Sequence, residues 1–163
     1  MWRAIHSLFS NIAGTKLSSN GDRAAAAGQV IIIGLVTDGH DRRLLAKVSS
    51  DNGWVMHFAD SWREAQSAAT NLQVPVILFD RDLPGVDWRE TVAGLASSSS
   101  PACVILISRA ADDYLWEEVI RRGGYEVLSK PLRPDEVVRV IRLAWSFWNS
   151  MMKMPAYSRK RSA

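Results

Sequence analysis

The chain of 163 residues contains one cysteine, Cys103, and no apolar stretch near the roughly 20 residues that a helix needs to cross a bilayer. A single cysteine cannot form an intramolecular disulfide, and its place inside an apolar run predicts a buried thiol in a reducing compartment. The amino-terminal segment lacks the apolar core and cleavage pattern of a secretory signal. Together these absences predict a cytoplasmic protein.

Acidic and basic residues nearly balance, but they are distributed unevenly. Of the net charge of +3, residues 1–29 carry +2 and residues 149–163 carry +4, which leaves −3 for the residues between them. The basic excess therefore lies at the two ends and does not indicate a nucleic-acid-binding fold. No helix-turn-helix pattern follows residue 148, so we expect no DNA-binding output domain.

The length and the hydrophobic content of 47% suit one well-buried domain with two extensions. Residues 1–28 are predicted to be an amino-terminal extension, with an amphipathic start followed by a small and polar linker. This amphipathic segment could dock on the domain, pair with a second copy or lie on a membrane surface. Residues 29–148 are predicted to form the domain, and residues 149–163 a basic, solvated carboxyl-terminal tail.

Apolar runs alternate with helical patterns along residues 29–148. The runs predict strands at 30–36, 54–59, 74–80, 102–108 and 125–129, and the patterns predict helices at 41–50, from 61, at 86–96, from 112 to about 123, and from 134. Such alternation predicts an α/β protein with a doubly wound, parallel sheet of five strands, a (βα)₅ sandwich.

Polar residues close several of the predicted strands. Asp38, Asp80, Ser108 and Lys130 each stand where an apolar run stops. Because the carboxyl ends of parallel strands meet at one edge of a sheet, these four side chains should lie close together. Burying a carboxylate is costly, so Asp80 is expected to face solvent.

Four motifs carry a resemblance to a known family. They are VTD at 36–38, D-x-x-L-P-G at 80–85, Ile107-Ser108 and Lys130-Pro131, and they resemble the receiver domain of bacterial two-component response regulators over roughly residues 29–148. The resemblance implies the flavodoxin-like receiver fold. It also agrees with a cis peptide bond between Lys130 and Pro131, which the sharp turn after the strand predicts.

The resemblance implies a role for each residue of the site. Asp80 would accept a phosphoryl group from a histidine kinase, and Ser108 and Lys130 would bind that group. Mg²⁺ would be held by Asp38, Asp80 and the backbone carbonyl of Asp82. Such a protein is a phosphoacceptor switch that catalyses only its own phosphoryl transfer, and it signals by contact with a downstream protein.

Two positions depart from the family pattern. Thr37 stands where the family usually has a first carboxylate, so Mg²⁺ binding should be weak. Val127 stands where an aromatic switch residue is common, with Tyr125 a poor substitute on the same strand face, and this predicts a shallow switch. The tryptophans of the last two helices, Trp116, Trp145 and Trp148, are either core residues or a partner surface, which makes a homodimer through these helices and the fifth strand an expectation.

Three functions remain open from the sequence. The first is a stand-alone response regulator, and the second is a degenerate receiver that binds partners without phosphorylation, as Thr37 and Val127 would allow. The third is a haloacid-dehalogenase-type phosphohydrolase, in which Asp80 and Asp82 would form a D-x-D motif. That family needs a further acidic pair, for which the chain offers only Asp135 and Glu136 after Lys130.

Overall fold

The computed structural model describes residues 29–97 and 102–153. The predicted amphipathic segment and linker at 1–28 and most of the basic tail lie outside these residues. Within the two described ranges, no helix combines the length and apolar character that crossing a membrane requires.

Five strands alternate with five helices in the described residues. Their order is β1 (Ile31–Leu35), α1 (Gly39–Asp51), β2 (Val55–Phe58), α2 (Trp62–Leu72), β3 (Val76–Asp80), α3 (Trp88–Ala96), β4 (Cys103–Ser108), α4 (Asp113–Arg121), β5 (Glu126–Ser129) and α5 (Pro134–Lys153). The strands form one parallel sheet in the order β2-β1-β3-β4-β5. The predicted α/β sandwich is confirmed.

The strands are apolar without alternation because helices cover both faces of the sheet. On one face, β-strand residues such as Phe79 and Leu106 pack against α2, α3 and α4. On the other face, residues such as Leu78 and Ile105 pack against α1 and α5. All four side chains are fully buried. Both faces of the sheet are therefore buried, and the polar residues of the strands lie at the strand ends.

Polar side chains begin the first four helices. Asp38, Ser61, Asp87 and Asp112 each accept hydrogen bonds from backbone N–H groups of the following turn. The cap at Asp38 starts α1 at Gly39, two residues before the predicted start. Pro134 begins α5 as predicted, and this helix continues past residue 148 to Lys153.

Candidate functional site

The strand register brings three of the predicted site residues together. Asp80 ends β3 beside Ile107 of β4, and Ser108 ends β4 beside Ser129 of β5. The backbone N–H of Lys130 donates to the carbonyl of Ser108 at 2.9 Å. The carboxyl end of the sheet thus holds Asp80, Ser108 and Lys130 at neighbouring strand ends.

Asp80 is buried, with 4% of its surface exposed, so the expectation that it faces solvent was wrong. Its carboxylate is stabilised by two donors. Oδ2 lies 2.5 Å from the ammonium nitrogen of Lys130, and Oδ1 accepts the backbone N–H of Asp82 at 3.0 Å. Pairing and hydrogen bonding offset the cost of burial that led to the expectation.

Lys130 is shared between two acids. Its Nζ lies 2.5 Å from Oδ2 of Asp80 and 2.8 Å from Oδ2 of Asp41, and all three side chains are almost fully buried. Burial by itself lowers the pKa of Lys130, but the hydrogen bonds to Asp41 and Asp80 and their charges outweigh it, so the pKa is raised. The peptide bond between Lys130 and Pro131 is cis, which confirms that prediction.

Asp41 is a site residue that was not identified from the sequence. It lies in the first turn of α1, and its carboxylate points to Lys130. Asp38 is instead exposed at the cap of that helix, where Oδ1 accepts the backbone N–H groups of His40 and Asp41. These bonds, the one from Asp41 first, lower the pKa of Asp38. The spacing of Asp38 and Asp41 did not identify Asp41 as a site residue, because an acid three residues after a helix cap is ordinarily read as part of the cap.

Ser108 is buried and its hydroxyl oxygen accepts two hydrogen bonds. The backbone N–H of Ala110 donates to Oγ at 3.1 Å, and Nη1 of Arg81 donates at 3.5 Å. Ser108 therefore caps the turn after β4 and, through Arg81, contacts the residue that directly follows Asp80. Arg81 was not identified from the sequence as a site residue.

Val127, at the position where the family commonly has an aromatic switch residue, and Tyr125 pack on opposite sides of the sheet. Val127 packs on the side of the sheet covered by α2, α3 and α4. Tyr125 contacts the opposite core and lies 5.5 Å from the ring of Phe147, so its predicted place on the same strand face was wrong. The reason is that β5 begins only at Glu126, and the side-chain alternation of a strand does not extend to Tyr125.

A surface bond connects α4 with β5. The indole N–H of Trp116 donates to Oε1 of Glu126 at 2.7 Å, while 45% of the surface of the Trp116 residue remains exposed. Trp145 and Trp148 are instead partly buried and pack against the core, which is one of the two roles that the sequence left open for the tryptophans. The exposed large apolar residues of α4 and α5 are Tyr114, Trp116, Ile120, Leu143 and Phe147.

The carboxylate oxygens at the sheet edge are suitable ligands for a weakly bound Mg²⁺ ion. In the ranges 29–97 and 102–153, no three side chains of His, Cys, Asp or Glu cluster as the ligands of a metal cage do. Two carboxylates, Asp41 and Asp80, nevertheless lie on one ammonium group. Because Mg²⁺ keeps several waters and needs only one or two carboxylates, the residues present fit this ion.

A model of the response regulator receiver domain matches residues 33–142. The regulatory protein AtoC of Escherichia coli K12 is 26% identical over 112 residues, which cover 68% of this chain and 24% of AtoC. The chain thus spans about a quarter of the length of that relative.

Solved structures share the fold. The receiver domain of the sensor histidine kinase PA1611 from Pseudomonas aeruginosa PAO1, with a magnesium ion in its active site cleft, gives a TM-score of 0.63 at 16% identity and covers 72% of this chain and 98% of that one. The beryllofluoride-activated NtrC4 receiver domain dimer gives a TM-score of 0.65 at 22% identity and covers 72% of this chain and 98% of that one.

The family match extends over more than half of the chain. Together with the sheet order and the strand-end residues, it places the protein in the response regulator receiver domain family of two-component systems. Members of this family are generally signalling switches rather than enzymes.

Proposed function

We propose that the domain is a phosphoacceptor switch, in which Asp80 accepts a phosphoryl group from a histidine kinase and the protein signals by protein contact. The observation that carries the proposal is the buried pair of Asp80 and Lys130, 2.5 Å apart at the sheet edge and next to Ser108. A nucleophilic carboxylate, a fixed cation and a hydroxyl donor are the groups that phosphoryl transfer to an acid requires.

The chemistry uses each of these groups. An oxygen of Asp80 attacks the phosphorus atom and forms a new P–O bond, while the bond from phosphorus to the donor breaks and its electron pair leaves with the donor. Lys130 supplies a positive charge for the phosphoryl oxygens, because its raised pKa keeps it protonated at neutral pH. Ser108 would donate its hydroxyl hydrogen to one of those oxygens.

Two alternatives differ in what they require of the site. The degenerate receiver is supported by the exposed Thr37 and by Val127, and it requires no acceptance of phosphate. The phosphohydrolase requires an acidic pair after Lys130, but Asp135 is exposed and its carboxylate lies 3.0 Å from Arg133. The geometry therefore favours the receiver over the phosphohydrolase.

The test of the proposed function is labelling by a small phosphodonor. We expect the intact protein, incubated with acetyl phosphate and Mg²⁺, to gain the mass of one phosphoryl group, because one buried carboxylate combines a strand end with convergent donors. Intact mass spectrometry measures the gain. A mass that stays unchanged would favour the degenerate receiver, and continuous release of phosphate from an aryl phosphate would favour the phosphohydrolase.

We further propose that Mg²⁺ binds weakly at Asp80 and the backbone carbonyl of Asp82, with a second carboxylate from the start of α1. Bound there, the ion would neutralise charge on the oxygens of the transferred group. The sequence predicts Asp38 as the second carboxylate. Asp41 is a second candidate, because it is buried beside Asp80 and Lys130 while Asp38 is exposed and caps α1.

A matched pair of variants separates these two acids. Asp38→Asn and Asp41→Asn remove the same charge from neighbouring positions, and asparagine still serves as a helix cap. We expect Asp41→Asn to weaken Mg²⁺ binding about tenfold, because a carboxylate next to Asp80 is lost and the charge of Lys130 then acts on Asp80 alone. Asp38→Asn should have the smaller effect. Titration followed by tryptophan fluorescence measures both, with Trp88 near the site as reporter; the reverse order would restore Asp38 as the ligand.

A second copy of the chain is the proposed partner for the exposed face of α4 and α5. Exposed apolar residues on both helices flank β5, and the NtrC4 receiver domain of similar fold forms a dimer. Val127 is too small to move between two positions as an aromatic switch residue would, so few contacts of this face should change on phosphorylation. We therefore expect phosphorylation to strengthen the association only modestly. Sedimentation equilibrium with and without beryllofluoride measures the change.

A further inference from the structure

Arg81 is a charged residue of the site to which the proposed function assigns no role. Its backbone N–H donates to the carbonyl of Ile107 at 2.9 Å, which fixes the residue at the end of β4. Its guanidinium group donates to Oγ of Ser108 at 3.5 Å, and its Cζ atom lies 5.8 Å from the centre of the Trp88 ring. The cation therefore lies over the same sheet edge as Asp80, on the side of Ser108.

The hydrogen bonds of Ser108 show where a ligand atom would lie. Oγ accepts from the N–H of Ala110 and from Arg81, so its two lone pairs are used and its own hydrogen is left to donate. An oxygen that accepts this hydrogen lies about 2.7 Å from Oγ. Such an oxygen is within reach of the guanidinium group that already contacts the same hydroxyl.

The charge of Arg81 is not compensated as that of Lys130 is. Lys130 is shared between Asp41 and Asp80, whereas no carboxylate of residues 29–97 or 102–153 lies within ion-pair distance of Arg81. A guanidinium group stays protonated at any physiological pH, and its planar N–H groups match the oxygens of a phosphate.

We propose that Arg81 is a second cationic ligand of the phosphoryl group on Asp80, and that it acts beside Lys130 and through the same oxygen that Ser108 contacts. The inference rests on the proposed function of Asp80. It adds a specific positive charge to a site in which Thr37 replaces a carboxylate and Mg²⁺ is expected to bind weakly.

The experiment measures beryllofluoride binding by the full chain in the presence of Mg²⁺, by isothermal titration calorimetry. We expect Arg81→Gln to weaken binding about tenfold, the loss of one charge-assisted hydrogen bond, and Arg81→Lys to restore part of it. Arg89→Gln is the matched control. Arg89 lies 4.6 Å over the same Trp88 ring but pairs with Glu118 at 3.6 Å, so the control should bind like the wild type.

The outcomes distinguish the two proposals. Equal affinity of the wild type and Arg81→Gln would overturn the role of Arg81 and leave that of Asp80 intact. Equal losses in Arg81→Gln and Arg89→Gln would also overturn it, because the effect would then come from the Trp88 ring. A wild type that binds no beryllofluoride would overturn both proposals. If Arg81→Gln melts early, Arg81→Met keeps the apolar stem and gives the same comparison.

Discussion

Replacing Asp80 by asparagine should abolish labelling by acetyl phosphate while the protein stays folded. Asparagine has nearly the same shape, and its carbonyl oxygen can still accept the N–H of Asp82, a bond of 3.0 Å in the wild type. Lys130 keeps its second acid, Asp41, at 2.8 Å. The nucleophilic carboxylate is lost, however, and an amide oxygen does not form a stable phosphoryl bond. Intact mass spectrometry should therefore show one adduct on the wild type and none on the variant.

The matched control for this variant is Asp82→Asn. Asp82 lies two residues further along the same turn, its side chain is exposed, and the family pattern assigns its backbone carbonyl rather than its carboxylate to the site. We expect Asp82→Asn to accept one phosphoryl group. Labelling of Asp80→Asn at the wild-type level would move the acceptor elsewhere, and Asp41 would be the next residue to test.

Lys130→Met should lower the free energy of unfolding by about 3 to 5 kcal/mol, because it leaves the buried carboxylates of Asp41 and Asp80 without a cation. Methionine matches the length of the lysine stem, so the change removes the charge with little loss of packing. Urea denaturation followed by circular dichroism measures the loss. Adding Asp41→Asn to Lys130→Met should recover part of the lost stability, since one of the two unpaired buried charges is then removed.

The control is Lys47→Met, which removes an ion pair of similar length from the surface. Lys47 and Asp51 lie 2.8 Å apart with both side chains mostly exposed. Exposed pairs contribute about 0 to 1 kcal/mol. Similar losses for the two lysine variants would contradict the buried network of Asp41, Lys130 and Asp80.

The pH dependence of the Lys130 effect follows from the direction of its pKa. The pKa of Lys130 is raised in the folded protein. Its contribution to stability is therefore complete below its unfolded pKa of about 10.4, and it is lost as the pH rises through the raised folded value. The difference between the wild type and Lys130→Met should stay constant from about pH 7 to about pH 9. A difference that shrinks within this range would mean that Lys130 loses its proton early.

The sequence was sufficient for the fold because local patterns carried the information. Continuous apolar runs identified the strands, and capping residues such as Ser61 and Asp112 identified the starts of helices. The sequence was also sufficient to predict which strand-end residues meet at the site. Parallel strands with buried faces must present Asp80, Ser108 and Lys130 at one edge, whatever the details of packing.

The sequence was not sufficient for the pairing of charges within that edge. Asp38 and Asp41 lie three residues apart, and only the start of α1 decides which of them points to Lys130. The burial of Asp80 could not be read from its position, because it depends on a lysine 50 residues further along the chain.

The sequence by itself determined the alternation of strands and helices, the family motifs and the strand ends that carry the chemistry, because each depends on residues adjacent in the chain. Only the tertiary structure decided that Asp41 shares Lys130, that Arg81 contacts Ser108 and that Tyr125 packs away from Val127. The first two are contacts between residues far apart in the chain, and the third depends on where β5 begins, so the sequence pattern alone settled none of them. They arise where strand register and helix starts meet, and burial there makes each hydrogen bond and each charge depend on its neighbours.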